Sequence, residues 1–237
     1  MDTKVKPSKA AKVEEKTFVQ KLSEYVRKHR KILIAISAVI VAAVLAIGIY
    51  SVVSNSRAEK AAEAMETART NITAWSGEAD EAKKTELKTA LVAELETLAK
   101  KWPRTFSAQE ALFAKAGISL QDKDYEGAES GYLAAADRLP KTYLAPIALE
   151  AAAIAAEERG AADKAVEYYG RIVANYKELA PNTAHAYFSL GRLAEGRAEW
   201  SVALENYEKL SADHPDSDWT KLAKDRIIFI KASGLVK

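Results

Sequence analysis

One run of residues limits what this chain can fold into more than any other. From Ile32 to Val53 there is not a single charge, and most residues are Ile, Val, Ala and Leu, in a chain that is 29% charged overall. As a helix rising ~1.5 Å per residue the run is about 33 Å long, and the hydrocarbon core of a bilayer is about 30 Å thick. A cleaved signal peptide has an apolar core of about 7–15 residues behind a short basic head. Here the core is longer, and the whole of Met1 to Lys31 precedes it. Lipoprotein processing acylates a cysteine, and the chain has none. The run reads as a single uncleaved membrane-spanning helix.

Charge sets the expected orientation. Residues 1–31 carry ten Lys and Arg against four acids, a net of +6, and the last five before the run are Arg27-Lys28-His29-Arg30-Lys31. The whole chain is +2, so residues 54–237 carry −4. Basic residues beside a span stay on the cytoplasmic side, which predicts the N-terminus in the cytoplasm and residues 54–237 outside it. That remainder has no basic stripe, which excludes nucleic acid as an expected partner. Without cysteine it uses no disulfides.

Residues 1–13 are polar and Lys-rich, and the composition predicts disorder there. Between Glu14 and Arg30, Phe18, Leu22, Tyr25 and Val26 fall at helical spacing among charged and polar residues. Two readings stay open for this segment: a short basic amphipathic helix lying near anionic lipid, or a determinant of topology alone. Beyond the span, Arg57 to Trp75 is rich in Ala, Glu and Arg, continues the helical pattern as a stalk, and stops at Trp75-Ser76-Gly77. Ala82 to Lys101 is helical, with Leu87, Leu91, Leu95 and Leu98 on one stripe, and Trp102-Pro103 ends it.

The rest repeats itself. Ala–aromatic pairs recur at 128/132, 165/169 and 203/207, at nearly equal intervals. Each pair follows a helix carrying Leu112 and Ala116, then Leu149 and Ala153, then Tyr187 and Gly191. The small residues permit close helix approach, facing Ala128, Ala165 and Ala203, and the bulky ones fill the space between hairpins. Gln121-Asp122-Lys123-Asp124, Arg159-Gly160 and Gly196 mark turns. Thr142, Asn182 and Ser217 are expected helix caps.

This frame resembles the tetratricopeptide repeat family, whose period of about 34 residues is slightly shorter than the interval here. The likeness covers residues 106 to 215; residues 57–101 look like a degenerate first unit, and Trp219, Leu222 and Ala223 open a final helix over 218–232. The third unit matches best, because Lys115 and Ala152 stand where the family carries Leu. The resemblance implies a right-handed helical solenoid of tetratricopeptide type, and with the uncharged run the expected fold is all-α, a single N-terminal transmembrane helix followed by that solenoid. The expected segments are a basic cytoplasmic tail (1–31), the span (32–53), a stalk and degenerate hairpin (54–105), three repeats (106–217), and a capping helix with C-terminal tail (218–237). This layout resembles the membrane-anchored ancillary subunit of the bacterial Sec translocon, an analogy of architecture. It implies an inner-membrane location, a periplasmic repeat domain, and translocon subunits or emerging secreted chains as partners. A structural scaffold for a cell-division or envelope complex is the alternative.

No catalytic motif stands out. His29, His185 and His214 lack a second His or Cys at ligand spacing, so neither metal nor cofactor is expected. There is no phosphate-binding glycine loop and no nucleophile signature, and the pairs Glu157-Glu158 and Asp216/Asp218 read as solvated helix ends. The chain is expected not to be an enzyme. A solenoid of hairpins leaves a concave face lined by the first helix of each unit. Counting from the small-residue positions, that lining comprises Phe113, Gly117 and Leu120, then Glu150, Ile154 and Glu157, then Phe188, Arg192 and Glu195. With Arg192 the one cation among them, the face suits an extended apolar or basic segment better than an acidic tail. The alternative for Phe113 and Phe188 is packing between hairpins.

Overall fold

The structure, a computed structural model, describes residues 17–177 and 180–236. The expected disordered stretch 1–13 and the start of the amphipathic segment lie outside the described residues, as do Glu178, Leu179 and Lys237. Among the described residues the secondary structure is nine α-helices: α1 (Phe18–Gly77), α2 (Glu81–Lys101), α3 (Phe106–Gln121), α4 (Tyr125–Arg138), α5 (Leu144–Glu158), α6 (Ala162–Asn175), α7 (Thr183–Gly196), α8 (Trp200–Asp213) and α9 (Asp218–Ala232). The chain divides into two units, one ending at Asn55 and one beginning at Ser56.

The first unit is the N-terminal part of α1. Its uncharged residues are exposed, Val39, Ile47 and Val52 to about two thirds each. The helix is long and apolar enough to cross a membrane. His29 leaves the helical region, with φ −106° and ψ 15°, between the basic amphipathic residues and the apolar run.

The second unit is an all-α helical solenoid. Consecutive helices from α2 to α9 pack on one another, and first helices also meet across units, α3 with α5 and α7 with α9. Met65, Ala68 and Trp75 of α1 share a core with Leu91, Leu95 and Leu98 of α2 and with Ala108, Ala111 and Ile118 of α3. A second core, built almost wholly from Ala and Tyr, runs from Ala116 in α3 to Ala186 in α7. The third joins α7, α8 and α9 through Tyr187, Ala203, Tyr207, Leu210, Ala223 and Ile230. The expected small residues Ala116, Ala153, Ala128, Ala165 and Ala203 are all at most 1% exposed. A Cβ added to Gly191 would overlap the ring of Tyr207, so that hairpin closes only over glycine.

The turns repeat more faithfully than the side chains do. Lys123, Gly160 and Ala198 all have positive φ, at 61°, 79° and 57°. After each, an amide reaches back across the turn: Asp124 N–H to Ser119 O at 2.9 Å, Ala161 to Ala156 at 2.8 Å, Glu199 to Ala194 at 2.9 Å. This is the Schellman ending, in which a left-handed residue satisfies the orphan carbonyls of the helix. Gly234, φ 63°, ends α9 the same way, with Leu235 N–H on Ile230 O at 3.2 Å. Gly196, expected to make the third turn, is the last helical residue; Ala198 takes the left-handed position instead.

Helix starts also depart from expectation. Ser217 caps α9, accepting from Trp219 N–H at 3.3 Å. Thr142 and Asn182 do not cap, because their side chains are drawn across to the preceding unit. The Thr142 hydroxyl donates to Gln109 Oε1 at 2.8 Å, and Asn182 Nδ2 donates to the Pro146 carbonyl at 2.9 Å. Donating to the neighbouring unit turns both side chains away from the local amides. The caps that do form elsewhere are Asp80, Thr105 and Asp124.

Candidate protein-binding face

The residues expected on the binding face sit on α3, α5 and α7, one helical turn or so apart on each. On α3, the Phe113 ring lies 5.0 Å from that of Tyr132, and Phe113 and Leu120 are half-buried against the alanine-rich core. On α7, Phe188 lies 5.6 Å from Tyr207 and 5.2 Å from Trp219. Both phenylalanines therefore pack between helices while keeping some exposure. Ile154 on α5 is 40% exposed.

The charged members are tied to one another. Glu157 receives Arg192 Nη2 at 2.8 and 2.6 Å and the Tyr169 hydroxyl at 3.0 Å. Glu150 receives Asn182 Nδ2 at 3.0 Å and faces His185 Nδ1. Glu195 receives Arg226 Nε at 3.0 Å, and a second guanidinium nitrogen reaches its other oxygen. Glu157 and Glu195 are each held by an arginine on the next first helix, α5 to α7 and α7 to α9. Arg192, expected to be the cation that faces a ligand, is thus engaged by Glu157.

Burial and these carboxylates act on the phenols beneath. Burial, and next the charge of Glu157, push the Tyr169 hydroxyl well above the ordinary phenol range. Burial and Glu195 do the same to Tyr207. The hydrogen bond to Glu195 raises Arg226 further above its already high value. The Tyr169 hydroxyl keeps its proton and donates a hydrogen bond to Glu157.

Repeat spacing exposes a difference between steps. Leu120 stands where Glu157 and Glu195 stand one and two units on, and Ile154 stands one unit before Arg192. The pair that is ionic between α5 and α7 is Leu and Ile between α3 and α5. The face is therefore apolar toward its α3 end and charged but internally neutralised toward α9. Sequence reasoning misses Asn182, His185, Trp219 and Arg226 as members of this network. His185 bridges Glu150 of α5 and Trp219 of α9, whose ring is 4.3 Å away. The available signal is the recurrence of Glu at 157 and 195; its partners lie on another helix and carry no local pattern.

On the other side of the α5 turn is an ion pair whose carboxylate is buried. Glu129 of α4 is 6% exposed. It receives Arg159 Nη2 at 2.6 Å and Nε at 3.0 Å, and the Tyr168 hydroxyl at 2.7 Å. These donors occupy most of the lone-pair directions of the carboxylate, which is how a buried charge is tolerated. The cluster ties α4 to the end of α5 and to α6.

Comparison with known proteins agrees with this architecture. A "TPR repeat-containing protein" of Treponema pallidum (strain Nichols) is 28% identical over 235 residues, covering 93% of this chain and 98% of the relative. The likeness supports the tetratricopeptide reading, and with it a protein-interaction module as the class of molecule. It covers too much of the chain to be confined to the repeats. No protein-family model matches the chain. Among the described residues, no three of His, Cys, Asp and Glu gather as a metal site requires.

Proposed function

We propose that this chain is a single-pass membrane protein whose helical repeat domain binds polypeptides. The tail before the span lies in the cytoplasm, and the repeat domain lies in the periplasm. There it assists secreted or envelope proteins at or near the Sec translocon, without catalysis. The uncharged run and the basic cluster before it support the anchor and its direction.

The observation that carries the binding reading is the uneven face. Clamping a terminal carboxylate needs a free cation, and Arg192 already donates to both oxygens of Glu157. The α3–α5 part instead presents Phe113, Leu120 and Ile154, with Glu150 held by Asn182. Such a surface takes an extended apolar segment, with the pairs on α7 and α9 forming its polar rim. A chain leaving a translocation channel is extended and exposes apolar residues.

A photo-crosslinking residue in place of Ile154, in native membranes, tests this. The expected adducts are translocon subunits and newly exported chains, lost when export is blocked. Adducts confined to one stable cell-division or envelope partner, unaffected by the block, favour a scaffold and overturn the reading.

A further inference from the structure

The helical segment before the span carries a binding surface of its own. At ~100° per residue, Phe18, Val19, Leu22, Tyr25 and Val26 share an arc of about 120°. Lys21 and Lys28 flank one edge of that arc, and Ser23 and Arg27 lie beyond the other. All five apolar residues are exposed, Phe18 at 78% and Val26, the least, at 46%. The helix then breaks at His29, whose ring lies 4.6 Å from Tyr25. Flanking residues with no role apart from a span need only extend its helix. Here the amphipathic residues and the uncharged residues are separate helical pieces.

We infer that residues 18–28 form a second membrane element, an interfacial helix that binds anionic phospholipid headgroups, with His29 as the joint. This rests on the reading of Ile32–Val53 as a span. Lys28 is four residues from Ile32, so chain connectivity holds the C-terminal end of the segment within about 15 Å of the hydrocarbon edge. At that distance an exposed apolar arc meets lipid before it meets any soluble partner. The flanking cations place positive charge at headgroup depth while the arc sinks below it. Lys and Arg snorkel readily, their stems along the apolar surface and their heads outward. Each cation near an anionic leaflet is worth about a fivefold gain in partitioning. A topology signal alone needs the charges; it does not need five apolar residues on one arc.

The chain is free of cysteine, so single labels are straightforward. The full chain carrying Leu22→Cys, Val26→Cys or Gln20→Cys, each nitroxide-labelled, is reconstituted into phosphatidylcholine vesicles with or without phosphatidylglycerol. With phosphatidylglycerol, labels at 22 and 26 are expected to be shielded from an aqueous relaxation agent while that at 20 stays open. Without it, the contrast collapses. Lys21→Gln with Lys28→Gln is expected to lower the shielded population about 30-fold. Equal water access at 20, 22 and 26 in the anionic vesicles overturns the inference. So does shielding seen only in native membranes, which assigns the arc to a protein. A chain washed from the vesicles by alkaline carbonate removes the anchor reading itself, an outcome distinct from open labels on a retained chain.

Discussion

Two successive steps of the solenoid use one backbone frame for different chemistry. Between α3 and α5 the paired positions hold Leu120 and Ile154; between α5 and α7 they hold Glu157 and Arg192. Both steps end their first helix in the same left-handed turn, and both bury a tyrosine of the second helix, Tyr132 or Tyr169. The frame is therefore set by turns, small residues and phenols. The face positions are free to vary, and the variation gives the surface an apolar end and a neutralised end.

The largest expected effect tests what the steps share. Tyr132, Tyr168, Tyr169 and Tyr207 are buried, and burial pushes all four above the ordinary phenol value. A raised value in the folded state means full stability below about pH 10 and loss as pH rises above it, where unfolded phenols release protons and folded ones do not. The three most strongly shifted, Tyr168, Tyr169 and Tyr207, lower stability by roughly 4 kcal/mol per pH unit once the unfolded phenols ionise above about pH 10, and Tyr132 adds in the same direction. Phenolate absorbance and loss of helical circular dichroism are expected to appear together. Ionisation of these tyrosines well before unfolding overturns the shared-phenol account.

Next come the two ion pairs at the end of α5. Arg159→Ala leaves the buried Glu129 carboxylate with only the Tyr168 hydroxyl as donor, and is expected to lower stability in urea unfolding by more than the loss of a surface pair does. Arg192→Ala breaks a pair whose arginine is half-exposed and is expected to cost less than about 1 kcal/mol. Equal losses remove the distinction between buried brace and surface pair. In the same titration, Gly191→Ala drives a methyl into Tyr207 and is expected to cost about 2 kcal/mol, unless the ring shifts. Its counterpart Ala153→Gly opens a gap and weakens a helix interior, costing about 1 kcal/mol. A smaller effect of opposite sign follows from the turns. Ala198→Gly relieves a left-handed Ala and is expected to add about 1 kcal/mol to the unfolding free energy, and Gly160→Ala to remove as much. Comparable in size is Glu157→Leu with Arg192→Ile, which copies the α3–α5 step onto the next. Stability is expected to fall by about 1 kcal/mol, the cost of leaving the Tyr169 hydroxyl without its Glu157 acceptor, and the pair's own share of the salt dependence is expected to vanish.

Much of the fold is legible in the sequence because its causes are local. The helical spacing of Leu91, Leu95 and Leu98, and the recurring Ala–Tyr pairs, need nothing beyond one hairpin to be recognised. The final helix falls at Asp218–Ala232, as its Ser217 cap and apolar spacing imply. The caps expected at Thr142 and Asn182 fail for the opposite reason. A hydroxyl or amide at a helix start accepts from the local N–H only if its own donor is not drawn elsewhere, and here the Gln109 side chain and the Pro146 carbonyl take that donor and turn the side chain away. Ala198 is hidden too, since nothing in an alanine announces positive φ.

The candidate face divides the same way. Its positions follow from counting along helices, but whether a residue is free follows from what the next helix brings to it. Arg192 reads as an available cation in one dimension and is engaged in three. The uncharged helix, the hairpin period and the alternation of small and large residues are all properties of spacing along one chain, and they can be read without a structure. Which charges cancel, which polar groups bridge units and which apolar residues keep their exposure are settled only by stacking. Those outcomes depend on distances between residues on different helices, many of them thirty or more positions apart, and such distances exist only once the hairpins have come together.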